Sequence, residues 1–227
     1  MKKAKTILVF NQKGGVGKST ITAILASSFS AAVCFNISLD QPSEEINSAP
    51  TFDLVNLINE DESTTALETL NFLKEDEDID YVFIDTPGEL TEEFVEIINE
   101  VDFFIIPFVG GKRDRQDTIK GINAVFDSGI IDSNESSICL IHNKYTEEPK
   151  VVTTCDEYEK EINMLNLDHN LNISFSKLSN SKTITTMEEK SKSIQELEST
   201  NKLAYRVFKK RVDGLVADVK NFIGEGA

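Results

Sequence analysis

The chain has 227 residues, with 39 Asp or Glu against 23 Lys or Arg, and a formal net charge of −16. That length suffices for a single α/β domain with a substantial core. An acidic body of this kind repels phosphate backbones and anionic lipid, so contact with nucleic acid or membrane has to come from a local basic surface.

Cys34, Cys139 and Cys155 are odd in number, widely spaced and free of any CxxC pair. They read as reduced thiols and not as a disulfide framework, zinc site or iron–sulfur cluster. Lys2 and Lys3 precede an apolar run too short for a signal-peptide core or a membrane span, which predicts a cytoplasmic protein.

Thr6 to Phe10 is the first predicted strand. Asn11-Gln12-Lys13-Gly14-Gly15-Val16-Gly17-Lys18-Ser19-Thr20 follows it, and Ile21 to Ala32 reads as a helix rich in Ala, Ser, Ile and Leu. Strand, glycine loop, Lys-Ser/Thr and helix form the P-loop arrangement. Glycines let backbone N–H groups face phosphate oxygens without a Cβ in the way, and the helix N-terminus adds a positive dipole end. Such a loop assigns nucleotide binding to residues 13–20, with Lys18 on the β- and γ-phosphates and Ser19 on Mg²⁺ through its hydroxyl.

Ala32 to Leu39 reads as a second buried strand ending at Asp40, and Gln41 to Pro50 as a loop. Leu54, Val55, Leu57 and Ile58, then Ala66, Leu67, Leu70, Phe72 and Leu73, fall at helical spacing, with a break and cap at residues 61–64. Tyr81 to Asp85 is a strand stopped by Thr86-Pro87-Gly88. Leu90 to Glu100 is an amphipathic helix, Phe103 to Phe108 a strand, and Asp114 to Asp127 a helix. Ser137 to His142 is a strand with Asn143 just beyond it, residues 157–167 are helical, and Asn172 to Phe175 is a short last strand. The polar stretch from Ser174 to Ser199 reads as a flap. Lys202 to Ile223 is a long amphipathic helix, with Leu203, Val207, Leu215, Val219 and Phe222 as its buried stripe. Its basic residues are Lys202, Arg206, Lys209, Lys210, Arg211 and Lys220, against Asp213 and Asp218.

Alternation of strands and helices predicts an α/β fold in a single domain, residues 1–227: a mostly parallel twisted sheet with helices on both faces. Ligands bind beyond the carboxyl ends of such strands, where the glycine loop, Asp40, Asp85 and Asn143 all fall. Asp85, closing Phe83-Ile84-Asp85, fits a carboxylate that holds Mg²⁺ through its water shell.

The standard P-loop has glycine where this chain has Gln12, and Lys13 stands ahead of Gly14-Gly15. This Lys-Gly-Gly-x-Gly-Lys-Ser/Thr variant resembles the deviant P-loop of the ParA/MinD family of dimerising ATPases. Asp80 to Pro87 is similar to that family's Walker B run, and Phe104 to Phe108 to its next strand. The resemblance spans roughly residues 5–223 and is most specific at 11–20 and 80–87. It implies ATP and Mg²⁺ as cofactors and a homodimer in the ATP state, with Lys13 reaching the partner's nucleotide. Asp40 would orient the attacking water, with Lys13 and Lys18 as the other catalytic residues, and Asn143 would read the adenine ring.

Ser38 stands where the family carries a first aspartate, which implies weaker Mg²⁺ binding or slower hydrolysis, and Gly88 replaces Pro or Ala, which implies a looser segment for sensing the γ-phosphate. With no further domain ahead of the loop, the resemblance is to the small ParA type. That type acts in plasmid or chromosome partitioning with a DNA-bound, ParB-like adaptor. It binds DNA non-specifically, here through Lys202, Arg206, Lys209, Lys210 and Arg211, and associates with the nucleoid. The competing readings are a MinD-like, membrane-associated spatial regulator and a nucleotide-dependent switch with little hydrolysis.

Overall fold

The structure is a computed structural model. It describes residues 3–37, 56–59, 64–86, 92–127, 137–146, 156–164, 172–179 and 202–225. The strands are β1 Lys5–Val9, β2 Ala32–Asn36, β3 Asn56–Asn59, β4 Tyr81–Asp85, β5 Phe103–Phe108, β6 Ser137–Tyr145 and β7 Asn172–Ser179. The helices are α1 Lys18–Ala26, α2 Ala66–Glu75, α3 Glu92–Ile98, α4 Lys112–Asp127, α5 at residues 156–164 and α6 Lys202–Phe222.

Among the described residues the strands form one seven-stranded sheet in the order β3-β2-β4-β1-β5-β6-β7, with every pair parallel. Parallel strands need crossover helices, which cover both faces, so the central strands are apolar on both sides. Alternate residues of β1 separate accordingly. Ile7 and Val9 join a core with α1 and α6, whereas Leu8 packs with α2, α3, α4 and α5. Cys34 and Cys139 are buried free thiols on the α1/α6 side. Burial raises both their pKa values, that of Cys139 to about 11.

Several expected boundaries move. Instead of running from Ile21 to Ala32, α1 starts at Lys18, because Gly17 caps it in a left-handed conformation. It stops at Ala26, where the Ser27 and Ser28 hydroxyls both donate to the Ile24 carbonyl, at 3.0 and 2.6 Å. Leu57 and Ile58, expected on a helix, lie in the edge strand β3, in parallel register with Cys34 and Phe35. Four residues are too few for periodicity to separate a strand from a helix. β6 runs three residues past His142, with a bulge at Lys144 (φ 57), so Asn143 lies within the strand and not after it. The first part of the expected flap is strand β7; residues 180–199 lie outside the described residues.

α6 has the expected length, and of its expected buried stripe Leu215 and Val219 are buried and Phe222 packs against the core, whereas the first two positions differ. Leu203 (74 % exposed) and Val207 (48 % exposed) face outward, while Tyr205, Phe208, Val212, Leu215, Val216, Val219 and Ile223 are buried. Beyond its end, Lys5 Nζ donates to the Ile223 carbonyl at 3.1 Å and to Glu225 at 2.7 Å, and the Tyr81 hydroxyl also donates to Glu225.

The expected break before the second apolar set ends at Thr65, whose hydroxyl accepts from Glu68 N at 3.2 Å while the Glu68 carboxylate accepts from Thr65 N at 3.0 Å. This reciprocal capping satisfies two of the helix's otherwise unpaired N–H groups. Thr65→Ala is expected to cost about 1 kcal/mol and Thr65→Ser a few tenths at most. Urea denaturation at constant m-value measures both.

Candidate functional site

Parallel register brings the site together. Val9 at the end of β1 pairs with Asp85 at the end of β4, and Asn36 of β2 pairs with the same Asp85. Thr86, buried, donates its hydroxyl to the Val9 carbonyl at 2.9 Å, locking the two strand ends together. The loop from Asn11 to Gly17 leaves β1 at that point and feeds directly into α1.

Asn11 starts the loop and is 2 % exposed. Its Oδ1 accepts from Lys13 N at 2.8 Å, and its Nδ2 donates to the Pro107 carbonyl at 2.8 Å and to Thr118 Oγ1 at 2.9 Å. A Cβ placed on Gly14 or Gly15 would meet nothing within 4 Å, so the backbone there is open to an incoming ligand. Val16 is buried, and its carbonyl accepts from Asn143 Nδ2 at 2.9 Å. Gly17 has φ 90 and lies so close to Asn143 that a Cβ would come within 3.0 Å of that amide. Only glycine satisfies both conditions without strain.

Lys18 Nζ lies 3.5 Å from the Lys13 carbonyl. Burial lowers its pKa, and the Asp85 carboxylate opposes that shift. Ser19 is exposed and Thr20 half-buried in the first turn of α1. Asp85 is 3 % exposed. Burial pushes its pKa up to about 6, against the Ser19 hydroxyl, the Lys18 ammonium, the Thr86 backbone N–H and the Thr22 hydroxyl, which favour the ionised form. Its Oδ1 has no hydrogen-bond partner among the described residues. A buried carboxylate oxygen left unsatisfied costs desolvation energy that a cation or its water shell recovers. With the adjacent Ser19 hydroxyl, this donor set fits Mg²⁺ held partly by water and phosphate. Among the described residues no group of three His, Cys, Asp or Glu could cage a metal.

Lys13 Nζ lies 3.8 Å from Asp117 Oδ2 on α4 of the same chain. The structure therefore unites Lys13, Gly14, Gly15, Val16, Gly17, Lys18, Ser19, Thr20, Asp85 and Asn143 around one loop. Asp40, Ser38 and Gly88 lie outside the described residues. On α6, Arg206, Lys209, Lys210 and Arg211 are exposed, and Lys209 bonds Asp213 at 2.7 and 2.9 Å. Lys220 is not on that exposed set; its ammonium lies over the Phe29 ring, 5.1 Å from the centroid. The Lys202 side chain is not among those described. Sequence reasoning missed Asn11, Thr118 and the Thr86 lock. Asn directly after a strand was the available signal for Asn11, whereas nothing local marks Thr118.

No family model matches the chain, and no curated protein matches it. Solved structures do match over nearly the whole length. An ATP complex of Cyanothece McdA, carrying one alanine substitution, aligns with TM-score 0.64 and 18 % identity, over 99 % of this chain and 98 % of that one. The septum site-determining protein MinD of Pyrococcus horikoshii, complexed with Mg-ADP, aligns with TM-score 0.63 and 14 % identity, over 99 % of both chains. A ParA family ATPase from Chlorobium tepidum aligns with TM-score 0.62 and 13 % identity, over 93 % of this chain and 99 % of that one. The structural neighbours of this chain are thus ParA/MinD-family ATPases, and its fold is theirs.

Proposed function

We propose that this chain is a Mg²⁺-dependent ATPase that pairs with a second copy when ATP is bound and acts in DNA partitioning with a DNA-bound adaptor protein. The observation that carries the reading is the buried Asp85 carboxylate, one oxygen without a partner, set against Lys18 and Ser19 at the end of a glycine loop. In this reading the loop N–H groups and Lys18 bind the phosphates, and Ser19 with Asp85, through water, holds the metal. Mg²⁺, when bound, neutralises charge on the β- and γ-phosphates. Asp40 aligns the attacking water, Asn143 clamps the loop through the Val16 carbonyl, and Lys13 leaves Asp117 to reach the partner's nucleotide. Turnover is slow, because the chemistry rests on positioning alone.

DNA is the proposed output surface because Arg206, Lys210 and Arg211 are exposed on α6 of an otherwise acidic protein. Packing of Val212, Leu215 and Val219 into the core leaves Leu203 and Val207 as the exposed large apolar residues on that helix. This favours DNA over a MinD-like lipid anchor.

Sedimentation with ATP, ADP or no nucleotide tests the switch, and repeating it with non-specific DNA at two salt concentrations tests the output. Dimers are expected with ATP only. If about four phosphates are neutralised, DNA affinity should fall about a hundredfold between roughly 50 and 200 mM salt. Lys13→Ala should keep nucleotide binding and lose at least about tenfold in turnover. Identical sedimentation in all three nucleotide states would rule the switch out.

A further inference from the structure

Three consecutive loop residues rest on one face of α4. Asn11 bonds Thr118, the Gln12 side chain is what a Cβ on Gly121 would first meet, at 3.7 Å, and Lys13 pairs with Asp117. Positions 117, 118 and 121 are neighbours on a helix surface. The joint of this contact is the Asn11 side chain. It uses both its amide hydrogens and its oxygen, and each bond runs to a different place: the end of β5, α4, and the loop's own Lys13 peptide. Thr118, its partner, is 1 % exposed.

We propose that Asn11 and Thr118 are positioning residues for the two loop lysines, acting through the Lys13 peptide; the role rests on the ATPase reading above. The Lys13 N–H is held by Asn11, and the Lys13 carbonyl faces the Lys18 ammonium, so both lysines take their placement from adjoining peptide groups. The position calls for two donors and one acceptor in a planar group, which asparagine supplies. Aspartate lacks the donors and would set a carboxylate against the Pro107 carbonyl. Phosphoryl transfer depends on placement, and neither Asn11 nor Thr118 has to touch the nucleotide to matter.

Thr118→Val keeps the side-chain shape and removes the acceptor, whereas Thr118→Ser restores the hydroxyl. Three measurements on the full chain decide the role: amide hydrogen exchange without nucleotide, steady-state ATP hydrolysis with Mg²⁺, and thermal melting. In Thr118→Val, exchange at the Lys13 amide should speed up at least about tenfold while the β1 amides keep their protection. Its kcat should fall at least about tenfold, with KM within about threefold of wild type. Thr118→Ser should return exchange and kcat to within about twofold of wild type. A Thr118→Val protein that melts earlier yet keeps its kcat overturns the role and makes the contact structural. If the wild-type chain neither binds nor hydrolyses ATP, the ATPase reading falls and this role falls with it. If the wild type turns over ATP and Thr118→Val matches it in exchange and kcat, only this role falls.

Discussion

Lys18→Ala is expected to abolish ATP binding at micromolar concentrations while leaving the fold intact. Lys18 is held half-buried, its ammonium kept near the Asp85 carboxylate and the Lys13 carbonyl. A hydrogen bond from a charged donor contributes about 1.5–3 kcal/mol, so losing two phosphate contacts lowers affinity roughly a hundredfold or more. The fold should tolerate the change, because burial of the amine costs free energy that alanine does not incur. Titration calorimetry with Mg-ATP measures the first effect, and a thermal melt without nucleotide measures the second. Affinity within about fivefold of wild type would mean that Lys18 does not face the phosphates.

Gly17→Ala is the second large effect, and two independent costs add in it. A left-handed φ costs a non-glycine residue about 1–2 kcal/mol. The new Cβ also displaces the Asn143 amide, leaving the buried Val16 carbonyl without its donor, a loss of about 1–3 kcal/mol. Together they predict a destabilisation of roughly 2–5 kcal/mol in urea, with loss of nucleotide binding. A double-mutant cycle with Asn143→Ala separates them. With the amide gone, Gly17→Ala should cost about 1–2 kcal/mol, the backbone component alone. An undiminished cost in that background would show that Asn143 is not what the methyl group meets.

The sequence carried the centre of the sheet well. β4 and β5 are largely apolar runs ended by an Asp-Thr-Pro and a Gly-Gly, so their nature and limits were both legible, while β1, expected from Thr6 to Phe10, runs Lys5–Val9, one residue earlier. The site was legible for the same reason: a loop and an aspartate at strand ends need no knowledge of partners. What escaped notice was set by tertiary contact. β3 is a strand because β2 offers it an edge, not because Asn56 to Asn59 prefer extension. On α6 the packing of Leu215, Val219 and Phe222 was legible, but the outward facing of Leu203 and Val207 was not, since which stripe is buried there depends on what the helix packs against. Asn143 was expected beyond a strand end as a base reader. It sits inside β6 with its amide on the Val16 carbonyl, so in this structure it clamps the loop. Asn11 and Thr118 are separated by more than a hundred residues, and neither carries a local mark of the other.

That separation also orders the folding of the chain. The loop is synthesised before β5 and α4, yet its shape is fixed by bonds to Pro107 and Thr118. Contacts so distant in sequence form late, after their closure entropy has been met by the strands between them. A nascent chain that ends before α4 thus carries the whole phosphate-binding motif in an unshaped form. On the ATPase reading proposed above, competence to take up nucleotide arrives only once β5 and α4 have joined the fold.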